Sequence, residues 1–132
     1  MKPSTLIRFG AINMFLAISA GAFGAHALKA MLGTELLQVW QTAVQYHLVH
    51  GLGLILLGAL SSLFSSQSNV RKIAWSGVAM LVGIALFCGS LYALALTGLR
   101  PLGFLTPVGG LAFLLAWCCL ALCIFERDGQ KA

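Results

Sequence analysis

Residues 9–28 read FGAINMFLAISAGAFGAHAL. Twenty residues pass without Asp, Glu, Lys or Arg, and only Asn13, Ser19 and His26 are polar. At 1.5 Å per helical residue such a run crosses about 30 Å, the thickness of a bilayer's hydrocarbon core. Lys2 and Arg8 ahead of it, with Ala20 and Ala22 within it, also resemble a cleavable signal peptide. The apolar stretch is longer than a usual h-region, so a retained first span is expected.

The rest of the chain repeats this pattern. Hydrophobic residues make up 60% and charged residues 8% of the 132. A soluble domain carries roughly 25% charged residues. A surface this poor in charge has to be covered by lipid. Further apolar runs at 43–63, 73–97 and 106–125 complete four expected spans within a single domain, 1–132. Gly98–Leu105, with Arg100 and Pro101, reads as a tight connector. Thr106 and Pro107 suit the start of the fourth helix. Leu36–Val49 differs from these runs. Gln38, Gln41, Thr42 and Gln45 recur at helical spacing as a polar stripe opposite Leu36, Trp40, Ala43 and His47. With Trp40 and Tyr46 it predicts an amphipathic interfacial helix leading into the second span.

Orientation follows from Lys and Arg. With four spans, Lys2, Arg8, Arg71, Lys72, Arg127 and Lys131 fall on one side, and Lys29 and Arg100 on the other. Six against two predicts both termini in the cytoplasm, as expected of a multi-pass protein of a bacterial inner membrane. The net charge of +5 is spread around the spans, with no basic patch and interleaved aromatics, so no nucleic-acid partner is expected. The expected partners are the lipid bilayer and other membrane proteins or a second copy of the chain.

In lipid, helices associate through close packing and hydrogen bonds, so small residues mark contact faces. Ala17, Gly21 and Ala25 form one four-residue stripe, and Ala85, Gly89 and Ala93 another. Both suit packing within a tight bundle with little internal volume, or a seam between copies. The cysteines (Cys88, Cys118, Cys119 and Cys123) lie inside apolar runs without zinc-type spacing and read as small packing residues.

The polar groups then sort by depth. The expected spans put His26, His47, His50, Ser90, Tyr92 and Thr106 together in the outer leaflet, with little beyond Asn13 and Ser19 in the inner half. His47 and His50, spaced i,i+3, share a helix face. Three histidines suit a zinc or haem-iron site, but the only nearby acid is Glu35, so no metal or cofactor is expected. A proton or small-solute path through His26, His47, His50 and Tyr92 is the alternative function, although a relay needs groups through the whole membrane. A hydrogen-bonded network locking the helices is the structural reading. With no G-x-S-x-G and no phosphate-cradling loop, the expected role is non-enzymatic: an accessory or structural subunit, or a small homo-oligomer.

Four stretches carry a resemblance: Gly21–Leu28 (GAFGAHAL), Trp40–His50 (WQTAVQYHLVH), Phe87–Gly98 (FCGSLYALALTG) and Thr106–Trp117 (TPVGGLAFLLAW). The pattern resembles the YgdD/YwdK-like family of small four-helix membrane proteins of unknown function, domain of unknown function 423, over nearly the whole chain. The resemblance implies four spans and a bacterial inner-membrane location, and it implies no activity. Cys88 stands where members of that family often carry Ser.

Overall fold

The computed structural model describes residues 1–63 and 66–129, with side chains for all of these except 62 and 124–129. It is an antiparallel bundle of four long helices: α1 (Pro3–Met31), α2 (Thr34–Leu60), α3 (Gln67–Thr97) and α4 (Thr106–Gly129). All four are long and apolar enough to cross a membrane. No strand occurs among the described residues.

Local sequence explains the helix ends. Lys2 is extended and Pro3 takes the first turn of α1, where its missing N–H costs no hydrogen bond. Ser66 caps α3 by accepting the Asn69 N–H at 3.2 Å. Gly98 closes α3 in the left-handed region at φ 71°, a conformation that strains any side-chain-bearing residue. A 3-10 turn, Arg100–Phe104, then leads into α4. Two helices carry a π-helical turn: Gly24–Leu28 in α1 and Ile84–Cys88 in α3. Such turns are rare and cluster at functional sites.

The bundle is two tight hairpins laid together. Along α1 and α2 the contact is made by glycines. A Cβ on Gly10 would lie 2.6 Å from Ile55 Cγ1 and 2.9 Å from the Gly51 carbonyl, and one on Gly58 would lie 2.8 Å from the Pro3 carbonyl. Along α3 and α4, Gly109 sits against the Phe87 backbone, and Phe113 fills the space left by Gly83. Leu6, Leu54, Leu57, Met80, Ile84, Phe113 and Ala116 fill the centre.

The segment Leu36–Val49 is the first half of α2 and runs without a break into the second span. Trp40 is buried against Gly24, and its Nε1–H donates to the Ala20 carbonyl at 2.9 Å. That contact holds the segment alongside α1 inside the bundle. The small-residue stripes also divide. Ala17 is fully buried and Gly21 approaches Val44, but Ala25 is exposed. Ala85 and Gly89 are exposed as well, and Ala93 is half-buried. Along α3 a bulkier row, including Ile84, Cys88 and Leu91, runs beside the small one, and that row turns inward. Four-residue spacing identifies a face without saying which way it points.

Gly10→Ala should therefore force α1 and α2 apart and destabilise the protein by about 1–3 kcal/mol. Gly33→Ala, where a Cβ meets nothing within 4 Å, should change stability by less than about 0.5 kcal/mol. Thermal unfolding of the two purified variants in one detergent checks this. Equal midpoints would refute it.

Candidate functional site

Gly21 faces Val44 and Met14 faces Gly51, so Ala17 lies level with His47. Arg8 and Lys29 are the only charges along α1 after its first residues, and about 31 Å of helix separates them. This distance matches a hydrocarbon core and centres it near Ile18. His47 and His50 are thus close to the middle of the bundle.

Both histidines are buried, and each ring is fixed by two partners. Asn13 donates its amide N–H to the Phe9 carbonyl at 2.8 Å, which turns its Oδ1 toward His47. A carboxamide oxygen only accepts, so His47 Nε2–H donates to it at 3.0 Å. His47 Nδ1 then accepts from the Tyr92 hydroxyl at 3.3 Å. His50 is arranged the opposite way. The Trp117 indole N–H donates to His50 Nε2 at 3.1 Å, and His50 Nδ1–H donates to the Tyr46 carbonyl, four residues back, at 2.7 Å. In their neutral forms the two rings are opposite tautomers. Each has its one lone pair and its one proton in use.

Aromatic stacking holds the same rings. His50 lies on Phe113 with ring centroids 3.5 Å apart and planes 14° apart, and Tyr46 lies nearly parallel at 6.1 Å. Tyr92 packs on Trp40 at 4.6 Å. His47 thereby joins α1, α2 and α3, and His50 joins α2 to α4. Two residues one helical turn apart tie all four helices. Two further bonds reinforce the α3–α4 hairpin. Ser76 Oγ–H donates to the Ala116 carbonyl at 2.8 Å. Thr106 donates to Ser90 Oγ at 2.9 Å, and Ser90 donates to the Phe87 carbonyl at 3.1 Å.

The six polar residues singled out by sequence are therefore not one cluster. His47 and Tyr92 meet. His50 forms a second centre with Trp117. Ser90 and Thr106 pair with each other, and the first turn of α4 closes with the Gly109 N–H donating to the Leu105 carbonyl at 3.2 Å. His26 is exposed on the π-turn of α1 and joins none of them. No group of three His, Cys, Asp or Glu residues able to hold a metal occurs among the described residues. Sequence reasoning missed Asn13, Trp40, Trp117 and Ser76 as members. Their available signal was a hydrogen-bonding group inside an apolar run, where an unpaired donor is costly. Beside His50 an aromatic groove of about 580 Å³, lined by Tyr46, Phe87, Phe113 and Trp117, opens sideways on the bundle's surface.

Asn13→Leu should orphan the buried His47 N–H. A stability loss of about 1 kcal/mol is expected. In a double-mutant cycle with His47→Leu, the two effects should fall well short of adding. Strict additivity in thermal unfolding would show that the pair is not coupled.

A profile of the family described as "Protein of unknown function (DUF423)" matches residues 20–110. The UPF0382 membrane protein YwdK of Bacillus subtilis is 46% identical over 84% of this chain and 88% of its own length. The UPF0382 membrane protein SH2409 of Staphylococcus haemolyticus is 42% identical over 93% of this chain and 97% of its own. A Staphylococcus epidermidis relative, SERP0230, is 40% identical over the same shares. No solved structure matches. The four-helix membrane bundle, the family profile and these full-length relatives agree: the chain is a membrane protein belonging to the DUF423 family, whose biochemical role is unknown.

Proposed function

We propose that this protein is a non-enzymatic membrane subunit whose central polar groups act as a structural clasp. One observation carries the reading: both ring nitrogens of His47 and both of His50 are already engaged by groups of the bundle itself. A catalytic base, a metal ligand or a relay needs a nitrogen that can change partners during its work. These four have fixed partners, and freeing any of them in a low-dielectric interior leaves a donor or acceptor unsatisfied.

The alternative, a proton or small-solute path, has weaker support. A proton leaving His47 Nε2 meets the Asn13 amide oxygen, and one leaving His50 Nδ1 meets a backbone carbonyl. Neither group titrates in the physiological range, so each hydrogen-bond chain ends there. Tyr92 is joined to His47, but His26 lies outside the network.

The setting we propose is a bacterial inner membrane, with both termini and the connector between α2 and α3 in the cytoplasm. The support is the distribution of Lys and Arg. A cysteine introduced as Gln67→Cys should resist an impermeant maleimide in intact cells and react after permeabilisation. Gly33→Cys should react without it. The reverse pattern would invert the topology.

The subunit reading is tested by native mass spectrometry of protein extracted gently from its own membranes. A defined assembly, with itself or with another membrane protein, is the expected result. A lone 14.0 kDa chain carrying a bound metal or haem would overturn the reading.

A further inference from the structure

Gln38, Gln41 and Gln45 lie along one exposed face of α2, and among the described residues none of their side-chain amides has a hydrogen-bond partner. Other polar side chains on the lipid-facing surface behave differently. Ser19 donates to the Phe15 carbonyl at 2.8 Å, and Thr42 donates to the Gln38 carbonyl at 3.0 Å. A hydroxyl can satisfy itself in this way within its own helix. A glutamine amide, with two donors and a carbonyl acceptor, is left with more than its helix supplies.

Depth makes this significant. Gln45 is two residues, about 3 Å, from the mid-depth His47, and Gln41 is about 9 Å from it. Both fall well inside a hydrocarbon half-thickness of about 15 Å. Gln38 is near its edge, within reach of water. Acyl chains offer no hydrogen bonds, so the two deeper amides require protein partners.

We propose that two copies of this chain pair along α2, with Gln41 and Gln45 of one copy hydrogen-bonded to the same residues of the other across a two-fold axis normal to the membrane. This rests on the subunit reading above. An amide is its own complement: placed opposite itself by a two-fold axis, it both donates and accepts. A row of carboxylates or ammonium groups would repel its own copy. The nearest charges on α2's outer part, such as Glu35, lie beyond this deep pair. The surface also admits close approach. A groove of about 220 Å³ beside the amides is bordered by Gly21, Ala25, Trp40 and Val44, and Ala25 stands exposed on its α1 side with only a methyl group. Backbones can approach at such positions, and short distances make interhelical hydrogen bonds possible.

Cysteine cross-linking in native membranes tests the proposal. Cys118 and Cys119, on α4, are first replaced by alanine. Gln41→Cys and Gln45→Cys, oxidised with membrane-permeant copper phenanthroline, should each give a product at twice the 14.0 kDa chain mass. Leu114→Cys, on the exposed face of α4, should stay monomeric. Separately, the Gln41→Leu/Gln45→Leu protein should run as a monomer in native mass spectrometry where the wild type is a dimer, with unchanged far-UV circular dichroism. Cross-linking of position 45 to a chain of another mass would overturn the second-copy proposal and leave the subunit reading standing. A dimer that persists in the leucine variant would also overturn it. Wild-type protein that is monomeric in both measurements would remove both.

Discussion

The structure depends on one constraint: an apolar bundle in lipid has no hydrophobic force to hold its helices in register. Moving a leucine from acyl chains to a protein interior changes little, so register must come from groups with directional demands. Here α2 supplies them. His47 and His50, one turn apart, reach to Asn13 on α1, Tyr92 on α3 and Trp117 on α4. Because each ring is locked as a single tautomer, a helix that rotated or slid would strand a donor or an acceptor in a medium that cannot replace it. Two residues thus bear on the relative placement of four helices.

That clasp needs the backbones to be close, and the glycines provide this. Gly10, Gly51 and Gly58 let α1 and α2 pack nearly surface to surface, which brings the short Asn13 side chain within 3.0 Å of His47. Gly83 and Gly109 do the same for α3 and α4, seating Phe113 under His50. The π-turn of α1 begins at Gly24, where the missing side chain leaves room for the Trp40 indole, and Trp40 in turn backs Tyr92. Packing and hydrogen bonding are therefore not separable here. A methyl group at Gly10 would loosen a hydrogen bond one turn away.

Much of this was legible from residues alone. Uninterrupted apolar length identifies four spans, because hydrocarbon thickness demands it, and Thr106-Pro107 and Gly98 mark helix ends through fixed backbone preferences. The polar stripe on Leu36–Val49 was visible too, but its setting was not. Gln38 to Gln45 look the same whether their face meets water at the interface or lies inside the membrane. The contact between Trp40 and Gly24, a tertiary fact, shows that the segment packs along α1. The same limit explains the histidines. Spacing places His47 and His50 on one face, but the choice between a shared site and two separate centres depends on where Asn13 and Trp117 arrive from other helices. Those residues looked ordinary in apolar runs. The small-residue stripe at Ala85 and Gly89 suited either a contact within the bundle or a seam between copies, and the row through Ile84 and Cys88, of similar periodicity, is the one that turns inward.

The distribution of satisfied and unsatisfied polar groups says where a role can lie. At the centre, the histidines, Ser76 and Ser90 are engaged by side chains and carbonyls of neighbouring turns and helices. At the periphery, amides sit at membrane depth with nothing inside the protomer to pair with. Selection for stability alone would favour leucine at Gln45, since an exposed leucine in lipid needs no partner. A protein that spends its interior polar groups on rigidity and keeps others on its outer face is built to present that face. On the reading proposed above, its work is done through contacts with neighbours in the membrane, and the histidine clasp matters because it keeps the presented surface in one shape.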